Sequence, residues 1–148
     1  MDIVLQLVTS FIAAAAFGII FNAPKESLVT SGFVGMIGWM VYYLFWKQGV
    51  NAVLSTGISA FMIAIISHIY AKRYKMPIII FTVAGIIPLV PGGISYNAMR
   101  SFVQNDYNMA LTLAAKAFMI SGAIAMGLIV SEVLRTIPNV RRQRNQSK

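Results

Sequence analysis

Pro88, Pro91, Gly92 and Gly93 interrupt an apolar run, and Ser95, Tyr96, Asn97 and Arg100 follow at once. Each proline removes a backbone donor and the glycines add freedom, so a helix entering through Phe81 must break here. In water that is an ordinary turn. In a bilayer the freed amides and carbonyls need partners, so a break is tolerated only against protein or a water-lined cavity. A second half-helix starting around Ile94 would present unpaired amides and the positive end of its dipole, which suits a carboxylate. Ser95, Tyr96 and Asn97 would add neutral hydrogen bonds, and Arg100 a bidentate carboxylate contact. Many transporters build a substrate site on such a broken helix. The same residues also fit a plain kink, or a loop leading to a surface helix.

The remaining candidates are single charges. Lys116 lies about two turns inside a late apolar segment, where a deep Lys costs about 2.5–3.5 kcal/mol. Either it snorkels to the interface, or it faces the bundle near the break as counter-charge to an anion. Arg100 has a competing partner in Asp106. His68 is the sole histidine, and fits an interfacial hydrogen-bond partner or a proton carrier. Glu132 and Arg135 are three apart and can pair on a helix surface, although Glu132 could instead carry a proton. The candidates for proton coupling are therefore His68, Asp106 and Glu132.

Composition decides what can position these groups. Of 148 residues, 58% are hydrophobic and 11% charged. A soluble domain has about 25% charged residues, so this is an integral membrane protein. The net charge of +8 sits at the ends of apolar segments, as the positive-inside rule requires, which argues against nucleic-acid binding. With no cysteine and one histidine, neither disulfides nor a Cys or His metal site is available. No phosphate loop, paired-carboxylate motif or nucleophilic triad is visible, so neither an enzyme nor a cofactor is expected. Asp2 is the only early charge, unlike a cleavable signal, so the first helix should be retained.

An all-α fold of about five transmembrane helices follows, with the fourth interrupted at the Pro-Gly break. The first span is expected over 3–21, with Ala13–Ala16 and Gly18 as a packing face and Pro24 as its stop. The second, 28–46, carries Gly32, Gly35 and Gly38 at a three-residue interval and an aromatic end from Trp39 to Trp46. The third, 50–70, puts Ala60, Ala64 and His68 on one face, before a basic loop at 71–77. Residues 77–90 make only 14 positions, roughly 21 Å of helix against a hydrocarbon core of about 30 Å. Residues 77–103 therefore read as one interrupted crossing. The last span, 109–134, carries a ladder of Ala117, Ser121 and Ala125 with Gly122 beside it, and Pro138 should end its helix. The chain thus divides into a transmembrane domain, 1–137, and a basic, disordered cytoplasmic tail, 138–148.

Five crossings put nine cations on one side: Lys25, Lys72, Arg73, Lys75, Arg135, Arg141, Arg142, Arg144 and Lys148. The other side receives Lys47 and Arg100. That bias places the N-terminus outside and the C-terminus in the cytoplasm.

From Pro88 to Met99 the chain resembles the threonine/serine exporter (ThrE) family, specifically its small YjjB-type subunit. The Pro-x-x-Pro-Gly stretch with Tyr and Met one turn later carries the resemblance. The lead-in from Phe81 to Ile87 and the Asn-x-Pro turn at Asn22 and Pro24 support it. The resemblance implies a multi-pass protein of the bacterial cell membrane that exports threonine and serine using the proton gradient. It also implies a larger YjjP-type partner subunit. Some members are linked to dicarboxylates such as succinate, which keeps that substrate class open.

A non-transporting scaffold or assembly component is the rival class, with the break as a packing device only. Small-residue stripes on three spans exceed what a lone bundle needs, so a stable complex is expected, with another chain or with copies of itself.

Overall fold

A computed structural model of the chain describes residues 3–146, and side chains as far as residue 136. Six α-helices follow one another: α1 (Ile3–Ile20), α2 (Lys25–Lys47), α3 (Ala52–Tyr74), α4 (Ile78–Ile86), α5 (Gly92–Val103) and α6 (Tyr107–Gln146). A 3-10 turn, Ile87–Leu89, extends α4. Four helices are long and apolar enough to cross a membrane; Ile78–Leu89 and Gly92–Val103, bent by 50°, pass the same test as a pair, which gives up to five spans by length and composition. The expected architecture is thus the one observed.

Local chemistry sets the ends. Pro24 and Pro77 stand immediately before α2 and α4, where a missing N–H costs nothing, so Pro24 launches the second helix rather than merely stopping the first. Asn51 caps α3 by accepting from Val53 N at 3.0 Å. Each turn between spans contains one residue at positive φ: Asn22, Gly49, Lys75 and Asn105. Asn and Gly adopt this conformation cheaply. The basic loop is shorter than expected, because Lys72 and Arg73 form the last turn of α3, where cations oppose the helix dipole favourably.

Pro138 does not end α6, which runs on to Gln146. One proline removes a single hydrogen bond, onto the Leu134 carbonyl, and need not terminate a helix. Side chains of the expected basic tail lie outside the described residues.

The bundle is large and apolar outside and small and hydroxylated inside, as helix association in lipid favours. Phe118 and Leu111 are exposed, whereas Ser27, Ser31, Ser55, Ser59 and Ser67 are fully buried. The α2 glycine stripe is the packing face expected. A Cβ on Gly35 would stand 2.5 Å from the Ala14 Cβ, and one on Gly38 would stand 2.3 Å from Ile63 Cδ1. On α6 the expected ladder is wrong in part: Ala117 is buried, but Ser121 and Ala125 are exposed. The face toward α3 is instead Ile120, Ile124, Gly127 and Ser131, chosen by a close crossing in which a Cβ on Gly127 would meet the Gly57 carbonyl at 2.5 Å.

Candidate functional site

The break is made by the backbone of 87–91. Pro88 and Pro91 cannot donate, so the α-helical ladder stops at Ile86 and tightens into the 3-10 turn. Val90 is extended. Pro91, at φ −78 and ψ 47, is the centre of an inverse γ-turn in which Gly92 N donates to the Val90 carbonyl at 2.8 Å. The twelve residues Ile78–Leu89 rise about 18 Å, short of the roughly 30 Å of a hydrocarbon core. α5 begins at Gly92, not at Ile94, and both glycines are helical.

Backbone groups on both sides of the break are left over. Among the described residues, the amides of Gly93 and Ile94 have no acceptor, and the carbonyls of Pro88 and Leu89 have no donor. The break therefore sets free donors at the positive end of α5 beside free acceptors at the end of the preceding turn.

A cavity of about 300 Å³ opens at this point. The break lines one wall from Pro88 to Pro91, with Gly93, Ile94 and Asn97 beside it and Ile120 of α6 below. Trp39 and Tyr42 of α2 and Thr56 of α3 complete the wall. Trp39 is held in place, its Nε1 donating to Gln6 Oε1 at 3.3 Å and its ring centroid 5.2 Å from that of Tyr42. The Thr56 hydroxyl donates to the Ala52 carbonyl at 2.7 Å, leaving its oxygen able to accept.

The expected residues are divided by the direction in which α5 leaves. Pro88, Pro91, Gly93 and Asn97 meet in the cavity. Gly92 does not line it; both glycines are exposed, and a Cβ on either would touch nothing within 4 Å. Ser95 turns back to donate to the Pro91 carbonyl at 3.0 Å, and lines a separate apolar groove between α5 and α6. Tyr96 and Arg100 lie on the far side of α5, in a shallow hollow with Met99 and Val103. Lys116 is exposed on α6 and lines none of these spaces.

The expected pair of Arg100 with Asp106 is absent among the described ion pairs, because Asp106 caps α6 instead, accepting from Met109 N at 3.1 Å. That removes Asp106 from the free carboxylates. Glu132 and Arg135 do pair, at 2.7 Å. The same carboxylate accepts from His68 Nε2 at 3.2 Å, a link between α3 and α6 that no local spacing announces across 64 residues. The His68 side chain is 12% exposed and that of Glu132 55%, so the histidine is the sheltered member. Twelve residues, or about 18 Å along α3, separate His68 from Thr56 in the cavity.

Trp39, Tyr42 and Thr56 were not expected here. The α2 pair was readable only as an aromatic interfacial belt, yet Gly35, Gly38 and Tyr42 share one helical face, which is the signal that would have brought Tyr42 inward.

Residues 6–134 match the family model described as Threonine/Serine exporter, ThrE. The chain belongs to this family. A Corynebacterium glutamicum protein named Threonine/serine exporter is 27% identical over 127 residues, covering 86% of this chain and 26% of that protein. The chain thus spans about a quarter of the length of that relative. No solved structure matches.

Proposed function

We propose that the chain is a membrane subunit of an exporter of threonine and serine, and that the break cavity binds the amino acid. The observation that carries this reading is that the residues bearing the free amides and the free carbonyls line one small cavity. A zwitterion has both charges: its carboxylate suits the Gly93 and Ile94 amides, and its ammonium suits the Pro88 and Leu89 carbonyls. Asn97 and Thr56 supply neutral partners for a side-chain hydroxyl. At about 300 Å³ the cavity is at the lower end of small-molecule sites, which suits a small amino acid. A dicarboxylate would bring a second negative charge, and the lining offers no cation for it.

Proton coupling is assigned to the His68–Glu132–Arg135 cluster, because it joins two spans through the sole histidine. The larger partner subunit is supported by the length of the Corynebacterium relative, most of which has no counterpart in this chain. The orientation is N-terminus outside and C-terminus cytoplasmic, on the nine-to-two cation bias. The test is flux in vesicles containing the chain and its partner. Labelled threonine should exchange and be competed by serine but not by succinate. Competition by succinate alone would overturn the substrate assignment.

A further inference from the structure

Three hydroxyls deep in the bundle have no partner: Ser31 Oγ on α2, Ser67 Oγ on α3 and Thr82 Oγ1 on α4. Ser31 and Ser67 are fully buried. Their neighbours in kind behave differently. Ser27, Ser55 and Thr56 each donate to a carbonyl of their own chain segment, and Ser59 donates across to the Gly38 carbonyl. A buried hydroxyl with no partner is costly, and three on three different helices call for one explanation.

Helix register brings the three to one level. A Cβ on Gly85 of α4 would touch Val34 of α2 at 2.7 Å and Ile63 of α3 at 3.0 Å, which fixes these positions as one layer. α2 and α4 run one way and α3 the other, since short turns join consecutive spans. One helical turn away from the break is therefore three residues back on α2 and α4 and four residues on along α3. Those steps lead from Val34, Gly85 and Ile63 to Ser31, Thr82 and Ser67. Beyond them, the long Tyr74 side chain near the end of α3 also joins the three helices: Thr30 Oγ1 donates to its hydroxyl at 3.4 Å, and its ring lies 6.1 Å from Phe81.

We propose that Ser31, Ser67 and Thr82 together bind a buried water molecule, which ties α2, α3 and α4 on the far side of the Val34–Ile63 layer from the break cavity. Three neutral groups that both donate and accept match the roughly three hydrogen bonds of a typical buried water. An ion would need charge compensation that the three hydroxyls lack. The nearest ionisable side chain in sequence, His68, is engaged with Glu132 on α6. The site is independent of what the break cavity binds.

The sign of mutational effects tests it. Ser31→Ala, Ser67→Ala and Thr82→Val should each lower the thermal midpoint of the purified protein, by about 2–4 °C, because each strands a water and its other partners. The doubles should lose less than the sum of the singles, since the first substitution already weakens the shared water. Singles that leave the midpoint unchanged or raise it, with additive doubles, would mean that the hydroxyls are unpartnered or turn to their own helices, and would overturn the site. If a variant does not fold, the wild-type protein decides at high resolution. Density for one water within about 2.7–3.0 Å of all three oxygens is expected, and its absence overturns the site.

Discussion

Asn97→Ala separates binding from folding more cleanly than any other change at the break. Asn97 lines the cavity, and none of the side-chain hydrogen bonds among the described residues uses its amide. Its removal should therefore leave stability within about 0.5 kcal/mol, as for ordinary surface positions. Binding should suffer more. A hydrogen bond between neutral groups contributes about 0.5–1.5 kcal/mol, and each 1.4 kcal/mol is tenfold, so threonine affinity should fall about 2- to 10-fold. The assay is counterflow of labelled threonine at graded concentrations, with thermal unfolding of the same preparation as the stability readout. Tyr96→Ala is the control, since its side chain is the adjacent residue yet lies in the other hollow. Half-saturation should rise for Asn97→Ala and stay put for Tyr96→Ala. Equal effects for the two, or no effect for either, would refute the division of α5 into a cavity face and an outer face.

Two further outcomes follow from the same geometry. Gly92→Leu should be tolerated, because Gly92 lies outside the cavity lining, whereas Gly93 lines it and Gly93→Leu should fill the cavity and abolish flux with normal abundance; this is read by comparing flux with membrane-inserted protein. Glu132→Gln removes the charge that His68 and Arg135 share, so it should lower gradient-driven export while threonine exchange without a gradient persists; equal loss of both activities would place the cluster in substrate binding or folding instead.

The fold was legible because lipid leaves few options. Apolar stretches of bilayer length must be helices, and the 14 residues from Pro77 to Val90 are too few to cross, which forced the interrupted reading. The break itself was legible from Pro88 and Pro91. What lay beyond it was not. Helical phase is lost through a turn such as that at Val90 and Pro91, so nothing in the sequence said that Asn97 would face the cavity and Tyr96 and Arg100 would not. Neither Arg100 nor Lys116 lines the cavity, and the residues that bear the free amides at the start of α5 do. The His68–Glu132 contact depends on the α3–α6 crossing at Gly57 and Gly127, a tertiary event. Ser121 and Ala125 were misplaced for a related reason: α3 and α5 both pack on α6, and each selects its own face.

The native chain has no cysteine, so substrate protection of single introduced cysteines tests the cavity directly. In the exporter assembled with its partner, a small water-soluble thiol reagent should modify Asn97→Cys and Tyr96→Cys in the absence of substrate. Threonine should slow the reaction at position 97 with a concentration dependence matching its transport, and leave position 96 unchanged. Modification at 97 that threonine does not slow, or equal protection at both positions, would contradict binding at the break.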